Sequence, residues 1–550
     1  MKRILAMLLV LVMLVGTLAG CNQDQPQQTQ GGNNDPKPTQ TAAPTTTEAP
    51  SNFNPTGYPI VNEKITLKIM VGANVADPNE MTFIKDMEEL TNVHIEWITA
   101  PTEGFTDRLG LMWSSGEYPD AVLGGQTSLP DPAPELYQDG AVLAWNELID
   151  QYMPNFKENC ADFFPQITYP DGNIYVLPRI TANYYAQNNP VTISTKWLEN
   201  VGMEMPTTID EFTAVLRAFK EQDANGNGKT DDEIPYSSYS NSWYNAISMI
   251  TGAFGLPASK TPLVVDGEVI DPNVQDGMKE AVKYLAMLYS EELIDLEIFT
   301  QDSNSYGAKA KETPTRIGVT ATWRRGTSYG DAVAVEEFIP LPALVGPNGH
   351  KGIAGEYSNV QCENVMYITS ACEYPEVLAR WVDTLYDPFY SYLAGYGALN
   401  ESVFMAQEEG KWYRKTPAPD GFETLADYVN VAHLQHIPQV WTRDMSTKYL
   451  WTDPNGTVAF SSYDKPDLDA AYEGAYFQKF PSGKLFTAEM QEELDLLATD
   501  IQKYQKETIC RWICGQGDVE AEWADYLATL ESMDHARYIE IYQQAFDATK

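Results

Sequence analysis

Histidine and cysteine are scarce, with five and six residues respectively in a chain of 550, and positive charge is thin, with 36 Lys and Arg against 77 Asp and Glu. Each shortage excludes something. The histidines (His94, His350, His433, His436 and His535) never form H-E-x-x-H, so the zinc-hydrolase signature is absent. His433 and His436 are the one close pair, without an acidic third ligand at helical spacing. Apart from Cys21, the cysteines are Cys160, Cys362, Cys372, Cys510 and Cys514, an odd and scattered set that is not a disulfide framework. Cys510 and Cys514 stand one helical turn apart with no further ligand nearby and read as packing residues. A formal charge of −41 opposes direct contact with nucleic acid or anionic lipid. Beyond the first residues no apolar run is long enough to cross a bilayer.

What is present begins with an export signal. Lys2 and Arg3 precede an apolar run from Ile4 to Val15, then Leu18-Ala19-Gly20-Cys21. That ending resembles the bacterial lipobox, which implies that Cys21 carries a diacylglycerol and becomes the new N-terminus; an ordinary signal peptide with an incidental cysteine is the alternative. Cleavage would take the charge to −43. Residues 22–57 are rich in Gln, Asn, Thr, Pro and Gly and bury too little to order themselves. As a flexible tether they reach roughly 30–36 Å.

From residue 58 the pattern alternates strand and helix. Ile65–Met70 reads as a strand, Phe83, Met87 and Leu90 as one helix face, and Val93, Ile95 and Trp97 as a second strand. Phe105, Leu109 and Met112 mark a helix closed near Gly116, and Ala121–Leu123 a third strand. This β-α-β-α-β run predicts a parallel sheet with helices on its faces, binding ligands beyond the strands' carboxyl ends. Ile174–Leu177, Ile317–Trp323 and Asn364–Ile368 are further expected strands, and Thr208 with Glu211 is a capping box. The stripe Met490, Leu494, Leu497, Ile501, Tyr504, Thr508 and Trp512 predicts a long core-facing helix ending at Gly515, with Asp518 capping another.

The most specific local feature is the run from Asp223 to Glu233. Oxygen-bearing side chains fall at Asp223, Asn225, Asn227 and Asp231, with Gly228 at the sharp turn and Lys229 offering its carbonyl. Ile234 occupies the place of the usual closing Glu, so Asp232 is expected to close a shortened loop around a structural Ca²⁺. A Gly/Asn-rich turn that binds nothing is the alternative. Gly228-Lys229-Thr230 imitates a phosphate loop, but Asp223 stands where that motif needs Gly, so nucleotide binding is rejected. Twelve Trp and 32 Tyr include several beside polar groups: Tyr184, Tyr185, Trp243, Tyr244, Trp323, Arg324, Glu356 and Tyr357. Flat rings beside donors and acceptors suit sugars, and core packing is the alternative at each position. Asn74 and Gln126, at expected strand ends, join them as candidate contacts.

Taken with the lipobox, several stretches resemble the family-1 extracellular solute-binding lipoproteins of ABC importers, oligosaccharide type. They are Tyr118–Leu123, Trp197–Gly202 with Pro206–Thr208, Glu233-Ile234-Pro235, Ala379–Asp383, Arg511–Ile513 and Glu522-Trp523. The resemblance implies an α/β fold like the type II periplasmic binding proteins, two hinged lobes with parallel-type sheets and a helical C-terminal region. Lobe one would span 58–178 plus 360–395, and lobe two 179–359 plus 396–550. It implies a monomer that captures a carbohydrate and delivers it to a permease, without catalysis, on the outer face of the cell membrane or in the periplasm of a two-membrane host. Similarity to alginate-oligosaccharide binders implies Asp223, Asn225, Asn227, Lys229, Asp231 and Asp232 as calcium ligands. A surface-anchored polysaccharide hydrolase and a peptide or other-solute receptor are the competing expectations.

Overall fold

The computed structural model describes residues 50–73, 75, 77–131, 133–182, 191–239, 243–321, 337–355, 361–406, 408–414, 421, 428, 431–450, 470–481 and 483–550. The expected signal, Cys21 and most of the tether lie outside them. Down the chain come β1 (Ile65–Gly72), α1 (Thr82–Thr91), β2 (Val93–Ala100), α2 (Phe105–Ser115) and β3 (Ala121–Gly125). Then follow β4 (Leu177–Ala182), β5 (Val191–Ser194), α3 (Ile209–Glu221), β6 (Ile234–Ser237), α4 (Ser303–Ala310), β7 (Ile317–Ala321), β8 (Phe338–Pro340), β9 (Gln361–Ile368) and β10 (Gln439–Thr442). Three helices end the chain: α5 (Ala488–Ile513), α6 (Val519–Ser532) and α7 (His535–Asp547).

The first sheet has six strands in the order β10-β4-β9-β3-β1-β2. All run parallel except β9, which is antiparallel to both β3 and β4. Alternation along β1 sends Leu67, Ile69 and Val71 into one apolar cluster and Met70 into another with Val122 and Tyr367. Both faces are therefore covered, as a parallel sheet requires. The second sheet, β8-β5-β7-β6, shares a core with Trp197, Phe219, Tyr236 and the C-terminal residues Leu494, Trp512, Trp523 and Tyr542. A third sheet joins Ile353–Gly355, Tyr476–Lys479, Leu263–Val265 and Glu268–Ile270.

Local signals place their elements well. The capping box forms with both bonds, and Gly116 closes α2 at φ 73°. In α5 the expected stripe is turned inward, with Leu494, Ile501, Thr508 and Trp512 buried. Asp518 caps α6 through the Glu520 and Ala521 amides. Cys160, Cys362, Cys372, Cys510 and Cys514 are free thiols. Two expectations differ. Ile174 and Val176 are buried outside any strand, because the Ile174 amide donates to Asn146 Oδ1 (3.0 Å) and its carbonyl accepts from the Trp145 amide (2.8 Å); the strand starts at Leu177. Residues expected in the second lobe also pack elsewhere: Ala398, Val403, Trp412, Leu434, Ile437 and Val440 lie in the first core, and the second core takes up the chain again at Ala471 and Tyr472.

Candidate functional site: the strand-end edge and the Asn-Gly loop

Five parallel strands of the first sheet present their carboxyl ends along one edge, the usual ligand side of such sheets. At the end of β3, Gly125 adopts φ 74° and lies so close to β1 that a Cβ would sit 2.4 Å from Val71 Cγ2 and 2.5 Å from the Gly72 carbonyl. It exchanges two backbone hydrogen bonds with His436: the Gly125 amide donates at 2.9 Å and the His436 amide donates back at 2.7 Å. Gln126 follows, its amide donating to the Gly72 carbonyl at 2.7 Å.

This docking delivers the His436 ring to Glu363 on β9, with Nδ1 2.9 Å from Oε2. Arg179, the register partner of Glu363 on β4, donates from Nη1 to the same oxygen at 3.1 Å. Side-chain exposures of 24% for Arg179, 30% for Glu363 and 25% for His436 leave all three reachable from solvent. Burial opposes the carboxylate, but the His436 hydrogen bond and the Arg179 charge outweigh it and hold Glu363 down at about 2. Beside this cluster Lys484 donates to Asn364 Oδ1 (2.7 Å), pairs with Asp131 and lies over the Tyr169 ring at 5.2 Å. Lys484 precedes α5, whose Leu494 and Trp512 belong to the second core, so it bridges the two cores.

A consequence follows for acid stability. Folding lowers the Glu363 pKa from 4.5 to about 2, so the folded state binds fewer protons between those values. Its contribution is complete above pH 4.5 and disappears as pH falls through about 2; it amounts to about 2–3 kcal/mol after allowance for partial exposure. Glu363→Gln is expected to flatten the acid limb of a urea-stability profile recorded from pH 3 to 7. An unchanged limb would contradict this.

The Asn-Gly loop follows α3. Gly226 and Gly228 take φ 76° and 89°. The Gly228 amide donates to Asp223 Oδ2 (2.9 Å), the Asn227 amide to Asn225 Oδ1 (2.9 Å) and the Lys229 amide to Asn227 Oδ1 (2.8 Å), turning these oxygens inward. Asp231 is exposed. Lys229 Nζ stands 3.7 Å from Asp232 Oδ2. Among the described residues no three His, Cys, Asp or Glu form a metal-holding group. Yet Asp223 Oδ1 and Asp232 Oδ1 are buried with no hydrogen-bond partner among the described residues, and burial raises the Glu233 pKa against the pull of the Glu233, Asn225 and Asp232 amides. Each such oxygen costs about 1–3 kcal/mol unless something meets it, so the donor set fits a hard cation. Glu233 stands one position short of where spacing places a closing Glu.

Of the other candidates, Gln126 lies on the strand-end edge, and Tyr244 packs against the second core, where burial raises its phenol pKa. Trp243 opens the helix Trp243–Gly252, its side chain not described. Asn74, Tyr184, Tyr185, Trp323, Arg324, Glu356 and Tyr357 lie outside the described residues. So does Gly326-Thr327-Ser328-Tyr329-Gly330, which matches the G-x-S-x-G spacing of serine hydrolases.

No family model matches the chain. It is 31% identical over 521 residues to the fructooligosaccharide ABC transporter substrate-binding protein FusA of Streptococcus pneumoniae, covering 88% of this chain and 91% of that protein. The chain belongs to the ABC-transporter substrate-binding proteins. The solved structure of FusA with kestose superposes with a TM-score of 0.76 at 28% identity, covering 88% of this chain and 99% of that one. Another FusA structure is of an EF-hand mutant in complex with fructo-nystose. The alginate-binding protein AlgQ2 without calcium ion gives a TM-score of 0.69 at 22% identity over 90% of this chain and 100% of its own, a likeness of fold. The α/β, type II-like architecture expected of a substrate-binding protein is thus the one found. These relatives are binders rather than enzymes, which leaves the five-residue serine motif without support.

Proposed function

We propose that this substrate-binding protein is tethered outside the cell through lipidated Cys21, captures an oligosaccharide between two sheet-based lobes and hands it unchanged to a membrane permease. The observation carrying the reading is the Arg179–Glu363–His436 cluster, level with the carboxyl end of β3 in the first sheet, in a chain 31% identical to a fructooligosaccharide binder. Core membership supports lobes of about 58–182 plus 361–450, and about 191–355 plus 471–550. A ligand touching both lobes favours the closed form, because in the open form it loses one set of contacts. The protein acts as a monomer, with Ca²⁺ held by Asp223, Asn225, Asn227, the Lys229 carbonyl, Asp231 and Asp232, joined by Glu233.

A thermal-shift screen of neutral and acidic oligosaccharides and of peptides tests this. A saccharide at about a hundred times its Kd stabilises the folded state by about 2.7 kcal/mol, and is recovered intact. A shift with peptides alone, or release of cleaved sugar, rejects the reading. Chelation is expected to lower the melting temperature of the wild type and to leave that of Asp223→Ala unchanged; equal curves with and without chelator reject the metal.

A further inference from the structure

Fixing the substrate's charge class follows from which atoms of the strand-end cluster are already used. Among the described residues Glu363 accepts two hydrogen bonds, both on Oε2, from Arg179 and His436, so Oε1 is left over. Among the described residues Arg179 donates from Nη1 alone; its Nε is buried out of a ligand's reach, so Nη1 and Nη2 carry its spare donors. A guanidinium carries five N–H donors and a carboxylate about four acceptor sites, so this pair holds unused capacity of both signs side by side. Adjacent sugar hydroxyls need that arrangement, since each one donates and accepts. Bonds to charged partners are stronger and better directed than neutral ones. The cluster has little to offer a sugar carboxylate. The Arg179 charge is balanced by Glu363, Lys484 next to it is balanced by Asp131, and a uronate would approach the Glu363 carboxylate in a chain of net charge −41.

We infer that Arg179 and Glu363, with His436 orienting the carboxylate, form the hydroxyl-binding anchor of this site and select neutral oligosaccharides over uronic-acid chains. The inference rests on the receptor reading and names its substrate class.

Titration calorimetry of the full mature chain with kestose, nystose and trigalacturonate tests it. The variants are Arg179→Met, Glu363→Gln and the two combined, each with its unliganded melting temperature. Wild type is expected to bind a neutral probe at least about 100-fold more tightly than trigalacturonate. Each single variant weakens that binding roughly 10- to 100-fold, as loss of a charge-assisted bond does. The double variant leaves no unpaired charge and regains wild-type melting while its affinity stays low. Wild-type affinity in the double variant, or equal affinity for trigalacturonate, overturns the inference alone. Failure of wild type to bind or be stabilised by any saccharide overturns the receptor reading and the inference together.

Discussion

Replacing Lys309 by Met is expected to remove about 3–5 kcal/mol from the unfolding free energy of the second core, the range for breaking a buried ion pair from one side. Lys309 on α4 donates to Asp295 Oδ2 at 2.9 Å and to Glu297 at 2.6 Å, with side-chain exposures of 18% for Lys309 and 7% for Asp295. The Asp295 carboxylate also accepts from Ser237 Oγ (2.6 Å), Gln301 Nε2 (3.0 Å) and the Glu297 amide (3.0 Å). Burial opposes its charge, but Ser237 and Lys309 prevail and hold its pKa below the ordinary 3.8. Without Lys309 the charge stays buried with neutral donors only. The deficit is greatest at neutral pH and shrinks as Asp295 becomes protonated in acid, which urea unfolding of both proteins from pH 3 to 7 measures. A deficit below about 1 kcal/mol at pH 7, the range of a surface pair, would contradict the account.

Ser237 ends β6, and Asp295 is tied to the same strand by its amide donating to the Tyr236 carbonyl at 2.8 Å. No periodicity announces such a bond, and this is where legibility ended. The stretch from Ile65 to Gly125 is readable because apolar spacing switches cleanly between 2 and 3.6 and glycines close the turns; β1, α1, β2, α2 and β3 all occur. By contrast β10 has four residues, and its partner β4 is remote in sequence. Nothing local to Gln439–Thr442 says which sheet it will join, and core residues such as Val403, Leu434 and Val440 pack with β1 and β3 rather than with the second core.

The two parts of the site divide in the same way. The Asn-Gly loop is a local device, and its turn follows from spacing alone: Gly226 and Gly228 take the left-handed backbone and the Asp223, Asn225 and Asn227 side chains accept from amides within the loop. The strand-end cluster is non-local. His433 and His436 were noted as a pair without an acid; the acid is Glu363, 73 positions away. It was missed because β9 begins at Gln361, three residues before the apolar run Asn364–Ile368 that marked it, so Glu363 seemed to precede the strand. Once β9 pairs with β4, register alone sets Glu363 beside Arg179.

Gly125→Ala is expected to cost about 2–5 kcal/mol and to abolish saccharide binding, and a second glycine separates the causes. Gly116 and Gly125 share a left-handed backbone, φ 73° and 74°. An alanine pays the same conformational penalty at both, about 1–2 kcal/mol. At Gly116 a Cβ meets nothing within 4 Å, so that penalty is the whole effect. At Gly125 it meets Val71 Cγ2 at 2.4 Å and the Gly72 carbonyl at 2.5 Å, distances that real Cβ atoms do not reach. Either β1 and β3 part, exposing core residues Val71 and Leu123, or the turn swings away and takes His436 with it through their paired backbone bonds. Overpacking of this kind adds about 1–3 kcal/mol. Urea unfolding and calorimetric titration of the two alanine variants are the measurement. Equal losses would mean that the close approach of β3 to β1 carries no energetic weight. A destabilised Gly125→Ala that still binds sugar at wild-type affinity would detach the strand-end turn from the ligand.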